Sequence, residues 1–170
     1  LLNLWGPTSE ELEEFPASLF PRNYIQPSTV VMKKTIVETV GGFDPNPALR
    51  GVEDLDYWLR IAAGEFQFVW VPDIHCLYRK AKGSLASSVE TNLERHALVQ
   101  RKHRNLNIIP SANREYLAVR SHLGVARRNL RKNPKKAADF FIWAWKISPR
   151  GAIVTLGVFM LEILGIKSHK

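Results

Sequence analysis

The stretch from Gly41 to Arg60, GGFDPNPALRGVEDLDYWLR, constrains the fold more than any other part of the chain. Gly41 and Gly42 admit positive φ, and Asp44-Pro45 followed by Asn46-Pro47 fixes a rigid turn, so the backbone to Gly51 is a shaped loop rather than a regular element. From Asp54 onward Leu55, Trp58, Leu59 and Ala62 recur at helical spacing, Asp56 and Arg60 stand four apart as an ion pair, and Gly64 closes the helix. Two adjacent carboxylates, Glu53 and Asp54, therefore sit where the loop becomes a helix.

The flanking segments predict α/β alternation. Thr8 or Ser9 is an N-cap with Glu10, Glu11, Glu13 and Glu14 in the turns that follow, where carboxylates meet the positive end of the helix dipole. Ser28 to Met32 carries the β-branched run Thr29, Val30, Val31 of a buried strand. Lys33 to Val40 places Ile36, Val37 and Val40 on one helical face, with Gly41 as its stop. Phe66, Phe68 and Trp70 alternate along a half-buried strand that Pro72 ends.

From Val89 the pattern changes to long helices. Pro110 and Ser111 read as a boundary and a fresh N-cap, which divides the chain into residues 1–108 and a helical extension over residues 109–170. Tyr116, Leu117, Val119, Leu123 and Ala126 define one helix and Lys135 to Ile147 a second, an antiparallel hairpin broken at Asn133-Pro134. Gly151 to Ile166 is apolar apart from Thr155 and Glu162, but its 16 residues fall short of the roughly 20 that span a bilayer.

Composition sets the class. A chain of 170 residues with 45% hydrophobic content is an ordinary globular length and core fraction. Its one cysteine, Cys76, excludes an intrachain disulfide and suits a reducing, cytoplasmic compartment. Charge is segregated: residues 1–100 hold 9 Lys+Arg against 13 Asp+Glu, whereas residues 101–170 hold 15 against 3. A mildly acidic body with a basic tail points to anionic lipid headgroups, phosphorylated ligands or nucleic acid as tail partners, with solvated helix faces as the plain alternative.

A carboxylate at a helix start is suited to general-base chemistry, because backbone N–H groups keep it ionised while partial burial raises its basicity. The ordered set Gly41-Gly42-Phe43-Asp44, Glu53-Asp54, Trp58-Leu59-Arg60 and Tyr78-Arg79 resembles the acceptor-side half of the inverting glycosyltransferases of family 2, over about residues 23–104. The resemblance implies the C-terminal portion of a GT-A α/β domain, the fold of nucleotide-diphospho-sugar transferases, followed by a basic helical extension. It implies transfer of a sugar from a nucleotide-sugar donor to a saccharide or lipid-linked acceptor with inversion, in polysaccharide or glycoconjugate synthesis at the cell envelope. Asp54 would be the base, and Glu53 would assist in acceptor contacts.

Arg79 and Lys80, beside Tyr78, would meet the donor diphosphate. Relatives often read Tyr-Arg-x-His there, and Ala81 replaces the histidine, so no metal ligand is expected from that loop; His75 is a weak candidate. The leaving diphosphate implies Mg²⁺ or Mn²⁺ held chiefly by a donor-binding half upstream of Leu1. Asp54-Leu55-Asp56 matches an Asp-x-Asp spacing by coincidence of the helix start. The expectation is thus of a fragment of a longer enzyme, inactive alone. Trp58 and Trp70 could stack on sugar faces, but core packing is the favoured role for each, for Trp70 above all.

The competing reading is a noncatalytic basic helical module that binds a membrane surface or nucleic acid. The helix over residues 135–147 carries Phe140, Phe141, Trp143 and Trp145 around much of its circumference, which leaves two readings of the tail. In the favoured one a soluble helical cap buries these aromatics against the body, because tryptophan at helical spacing usually forms core. In the other a helical layer lies in a membrane interface with Lys146, Arg150, Lys167 and Lys170 near headgroups at its inner face. Zinc-finger, RRM and KH signatures are absent from the sequence, which disfavours specific nucleic-acid recognition.

Overall fold

The computed structural model describes residues 6–73, 76–77, 89–109 and 111–163. Among these residues every regular element is helical. The α-helices are α1 (Ser9–Glu13), α2 (Lys34–Val40), α3 (Glu53–Ala63), α4 (Val89–Lys102), α5 (Ser111–Asn129), α6 (Pro134–Ile147) and α7 (Pro149–Ile163), with single 3₁₀ turns at Ala17–Leu19, Pro27–Thr29 and Pro47–Leu49.

This overturns the expected α/β GT-A domain. Of the first expected strand, Ser28 and Thr29 lie in a 3₁₀ turn; Val30 keeps extended dihedrals (φ −100°, ψ 130°), but Val31 projects into solvent, 99% exposed. Residues 66–70 run without regular structure, and Val69 and Trp70 are exposed. A strand exists only through hydrogen bonds to a neighbour. Neither run finds one among the described residues, so β-branched and alternating apolar residues are left as irregular chain.

The chain forms two compact units, residues 1–110 and 111–170. Unit 1 builds its core from Leu19, Phe20, Tyr24, Leu55, Trp58, Leu59, Ala97 and Val99. Thr8 closes a capping box on α1: its hydroxyl accepts from Glu11 N at 3.2 Å while Glu11 Oε2 accepts from Thr8 N at 2.8 Å. Arg22 pairs with Glu11 at 2.6 Å, and the Gln100 amide donates to Phe20 O at 3.0 Å, which fastens α4 to the segment after α1.

Unit 2 is a three-helix assembly in which α5 packs on α6 and α7. Its core is Val119, Leu123, Ala144 and Ala152, with Ile147, Leu156 and Phe159 against them. Asn133 ends one helix approach and starts the next, its side chain accepting from Lys136 N at 3.0 Å with Pro134 in the first helical position.

The boundary reassigns some of the basic charge. Arg101, Lys102 and Arg104 belong to unit 1, where 12 basic residues meet 13 acidic ones; unit 2 keeps 12 against 3. No helix among the described residues is long and apolar enough to cross a membrane.

Candidate active site

The Gly41–Arg60 stretch folds as one interlocked piece. Gly41 ends α2 at φ 82°, a conformation that favours glycine. Arg60 reaches back from α3 and donates to Val40 O at 2.9 Å and Gly42 O at 2.6 Å, holding the frayed end of α2. The Arg60 guanidinium also lies over the Tyr57 ring at 4.9 Å, and Phe43 meets the same ring edge-on at 5.0 Å. Asp44 accepts from Asn46 N at 2.9 Å, and Asn46 in turn accepts from Ala48 N at 3.0 Å, so the two Asx-Pro steps become a pair of local turns.

At the head of α3 the three carboxylates have different surroundings. Glu53 turns back and accepts from Gly51 N, capping the loop at the point where Gly51 has φ 88°. Asp54 is half-buried. Its Oδ1 accepts from Leu55 N at 2.8 Å and its Oδ2 from the Asn23 amide at 2.9 Å. Asn23 is itself oriented, its carbonyl accepting from Ile25 N at 3.1 Å. Burial raises the Asp54 pKa, the Leu55 and Asn23 hydrogen bonds oppose it, and the adjacent Glu53 charge adds to the rise; the carboxyl stands above its ordinary value. The Asp54 N–H adds a third bond to the carboxylate, which leaves part of its four-lone-pair capacity open to receive a proton from an incoming hydroxyl.

Asp56, two residues on, is fully buried. Lys102 Nζ and His103 Nε2 both reach its Oδ1, at 2.6 and 2.7 Å, and Arg60 Nε meets its Oδ2 at 3.0 Å. Burial alone would push this carboxyl up. The bonds from His103, Lys102 and Arg60 overcome that and hold it well below the usual carboxylate range. Lys102 also bridges to Asp44 at 2.6 Å, so the loop, α3 and the end of α4 share one cation.

Asp54-Leu55-Asp56, read from sequence as a coincidental Asp-x-Asp match, has surroundings that do not suit Mg²⁺ or Mn²⁺: Asp56 is already engaged by three basic side chains. Among the described residues no group of three or more His, Cys, Asp or Glu could hold a metal. Trp58 offers no face to a sugar: it is 2% exposed and donates its indole N–H to Ile25 O at 3.2 Å. Trp70, expected in a strand, lies half in solvent against Gly6. Tyr78, Arg79, Lys80 and His75 fall outside the described residues, so of the site candidates Glu53, Asp54 and the buried Trp58 are the ones that can be placed.

Asn23, Lys102 and His103 escaped the sequence reading as parts of this site. Asn23 lies 31 residues before its partner and His103 lies 47 after Asp56, separations at which spacing carries no signal. The cavity of about 310 Å³ lined by Ala63, Glu65 and Asn105–Ile108 opens at the other end of α3 from Asp54 and has no part in this arrangement.

No known family profile, curated protein or solved structure matches the chain.

Proposed function

We propose that this chain supplies the acceptor-activating carboxylate of an inverting sugar transfer from a nucleotide-sugar donor to a saccharide or lipid-linked acceptor. The observation that carries the reading is Asp54: half-buried at the start of α3, raised in basicity, and aimed by Asn23, with lone pairs to spare. The motif resemblance over residues 41–60 supports the same assignment.

In this mechanism Asp54 accepts the proton of the acceptor hydroxyl. The acceptor oxygen then bonds to the anomeric carbon while the bond to the nucleotide oxygen breaks on the opposite face, and the electron pair leaves with the diphosphate. Asn23 holds the carboxylate in register, and the Asp56 network fixes the helix start beneath it. Positive charge for the departing diphosphate is assigned to Arg79 and Lys80, beside Tyr78. A divalent metal would supply further neutralisation, from ligands other than α3. The reaction is placed on the cytoplasmic side, with which the lone thiol is compatible.

The test is transfer by the full reading frame that carries residues 1–170, assayed across a nucleotide-sugar panel with wild type and Asp54→Asn. The expected result is a loss of about 10²- to 10⁴-fold in turnover with donor binding retained. Unchanged turnover would reduce Asp54 to a helix-start residue.

A further inference from the structure

The helices α6 and α7 of unit 2 are apolar on two sides. Toward the core α6 places Ala137, Phe140, Ala144 and Ile147, and α7 places Ala152, Thr155, Leu156 and Phe159. On the opposite side α6 carries Phe141, Ile142 and Trp145, which recur at the three- and four-residue steps of one stripe. The outer side of α7 carries Ile153, Val154 and Met160, with Gly157 between them. These six large side chains are between 40% and 64% exposed. A helix that keeps a contiguous exposed apolar stripe beside its core-facing one has a surface suited to a second partner.

Charge says which partner. Over residues 134–160 there are four cations, Lys135, Lys136, Lys146 and Arg150, and one acid, Asp139. Lys146 lies over the Trp143 ring at 5.3 Å in the last turn of α6, and Arg150 begins α7 beside the outer stripe. Basic residues at the helix junction beside exposed tryptophan and aliphatic side chains match the headgroup region of an anionic bilayer, where aromatic rings sit at the boundary and Lys and Arg meet phosphate. A self-complementary dimer would instead crowd these like charges together, and nucleic acid could stack bases on Phe141 and Trp145 but leaves the aliphatic stripe of α7 uncovered.

We propose that the outer stripes of α6 and α7 dock unit 2 on an anionic lipid surface, lying in the interface plane rather than crossing it. The absence of a spanning helix among the described residues agrees with that geometry. The inference stands on unit 2 alone and does not depend on Asp54 being a base.

The experiment is flotation of the 170-residue chain with vesicles of phosphatidylcholine, with and without phosphatidylglycerol, at low and raised salt. Binding is expected to the anionic vesicles at low salt, to weaken with salt, and to be slight on phosphatidylcholine alone. Phe141→Ser with Trp145→Ser and Ile153→Ser, checked for retained helicity by circular dichroism, is expected to lower partitioning at least tenfold. Should that variant lose helicity, Lys135→Gln with Lys146→Gln and Arg150→Gln leaves the stripes intact and is expected to weaken binding roughly fivefold per cation removed. Failure to float on anionic vesicles overturns the proposal. So does nucleic-acid binding, or dimerisation lost in the serine variant, in a chain that does not bind vesicles.

Discussion

Asp54 and Asp56 are two residues apart on one helix, and the protein moves their acidities in opposite directions. The difference is in what surrounds them: Asp54 is desolvated with a neutral amide and N–H groups for company, whereas Asp56 is enclosed by Arg60, Lys102 and His103. Because folding raises the Asp54 pKa, the folded chain holds that proton to higher pH than the unfolded chain does, and stability falls as pH rises through the carboxylate range. Asp54→Asn removes this term. Thermal melts from pH 4 to 7 should show wild type losing ground to the variant as pH increases, and parallel curves would contradict a raised Asp54. Asn23→Ala removes a bond that favours the ionised form, so the acidic limb of the pH–rate profile should move to higher pH. A merely structural Asn23 would lower turnover without moving that limb. For Asp56 the sign reverses: its stabilisation is complete above the ordinary value of 3.8 and is lost as the pH falls below it. Asp56→Ala takes the buried acceptor away from Arg60, Lys102 and His103 and should cost about 3 kcal/mol in urea unfolding at pH 7; a loss under about 1 kcal/mol would mean that the network behaves as a surface pair.

At the scale of elements, α4 shows how polar a buried helix face can be. His96, Gln100 and His103 fall on the stripe that also holds Val99, and that stripe is turned inward. His96 has its Nε2 buried without a hydrogen-bond partner, and burial pushes its pKa down to about 4 from an ordinary 6.5. The unfolded chain therefore takes up a proton that the folded chain refuses, and stability declines as pH drops from 6.5 toward about 4. That shift corresponds to a loss on the order of 3 kcal/mol. His96→Leu should flatten the stability curve over that interval, above the range in which Asp56 titrates; an unchanged slope would assign the acid sensitivity elsewhere. Local signals were legible in sequence wherever the partner is a few residues away: the Thr8 cap, the Gly41 stop, the helix from Asp54 closed at Gly64, the Asp56–Arg60 pair and the break at Asn133-Pro134 all have their causes within one turn. Strands at residues 28–32 and 66–70 were not, because β-propensity describes a side chain's fit to a sheet and says nothing of whether a neighbouring strand exists. The polar inner face of α4 hid for a related reason. Its helical period is present, but it is written in His and Gln, which hydropathy reads as solvent-facing.

For the whole molecule, the division at Pro110 has an energetic consequence. Unit 1 is held by a mixed core and the buried Asp56 network, and unit 2 by aliphatic and aromatic packing around Val119, Leu123, Ala144 and Ala152. Leu123 is 2% exposed, and Leu123→Ala removes apolar contacts from that second core, a change that costs about 2–5 kcal/mol where the cavity does not collapse. Two compact units each with a core of its own are expected to respond separately. Hydrogen exchange read by mass spectrometry is expected to show faster exchange across α5, α6 and α7 in Leu123→Ala, with α3 and the end of α4 retaining wild-type protection. Asp56→Ala should produce the reverse. If either substitution loosens all five helices together, the chain unfolds as one cooperative body, and lipid docking by α6 and α7 would then stabilise the Asp54 site by the same free energy with which it stabilises its own unit. If they respond separately, the proposed docking and the proposed proton transfer rest on units that can change independently of one another.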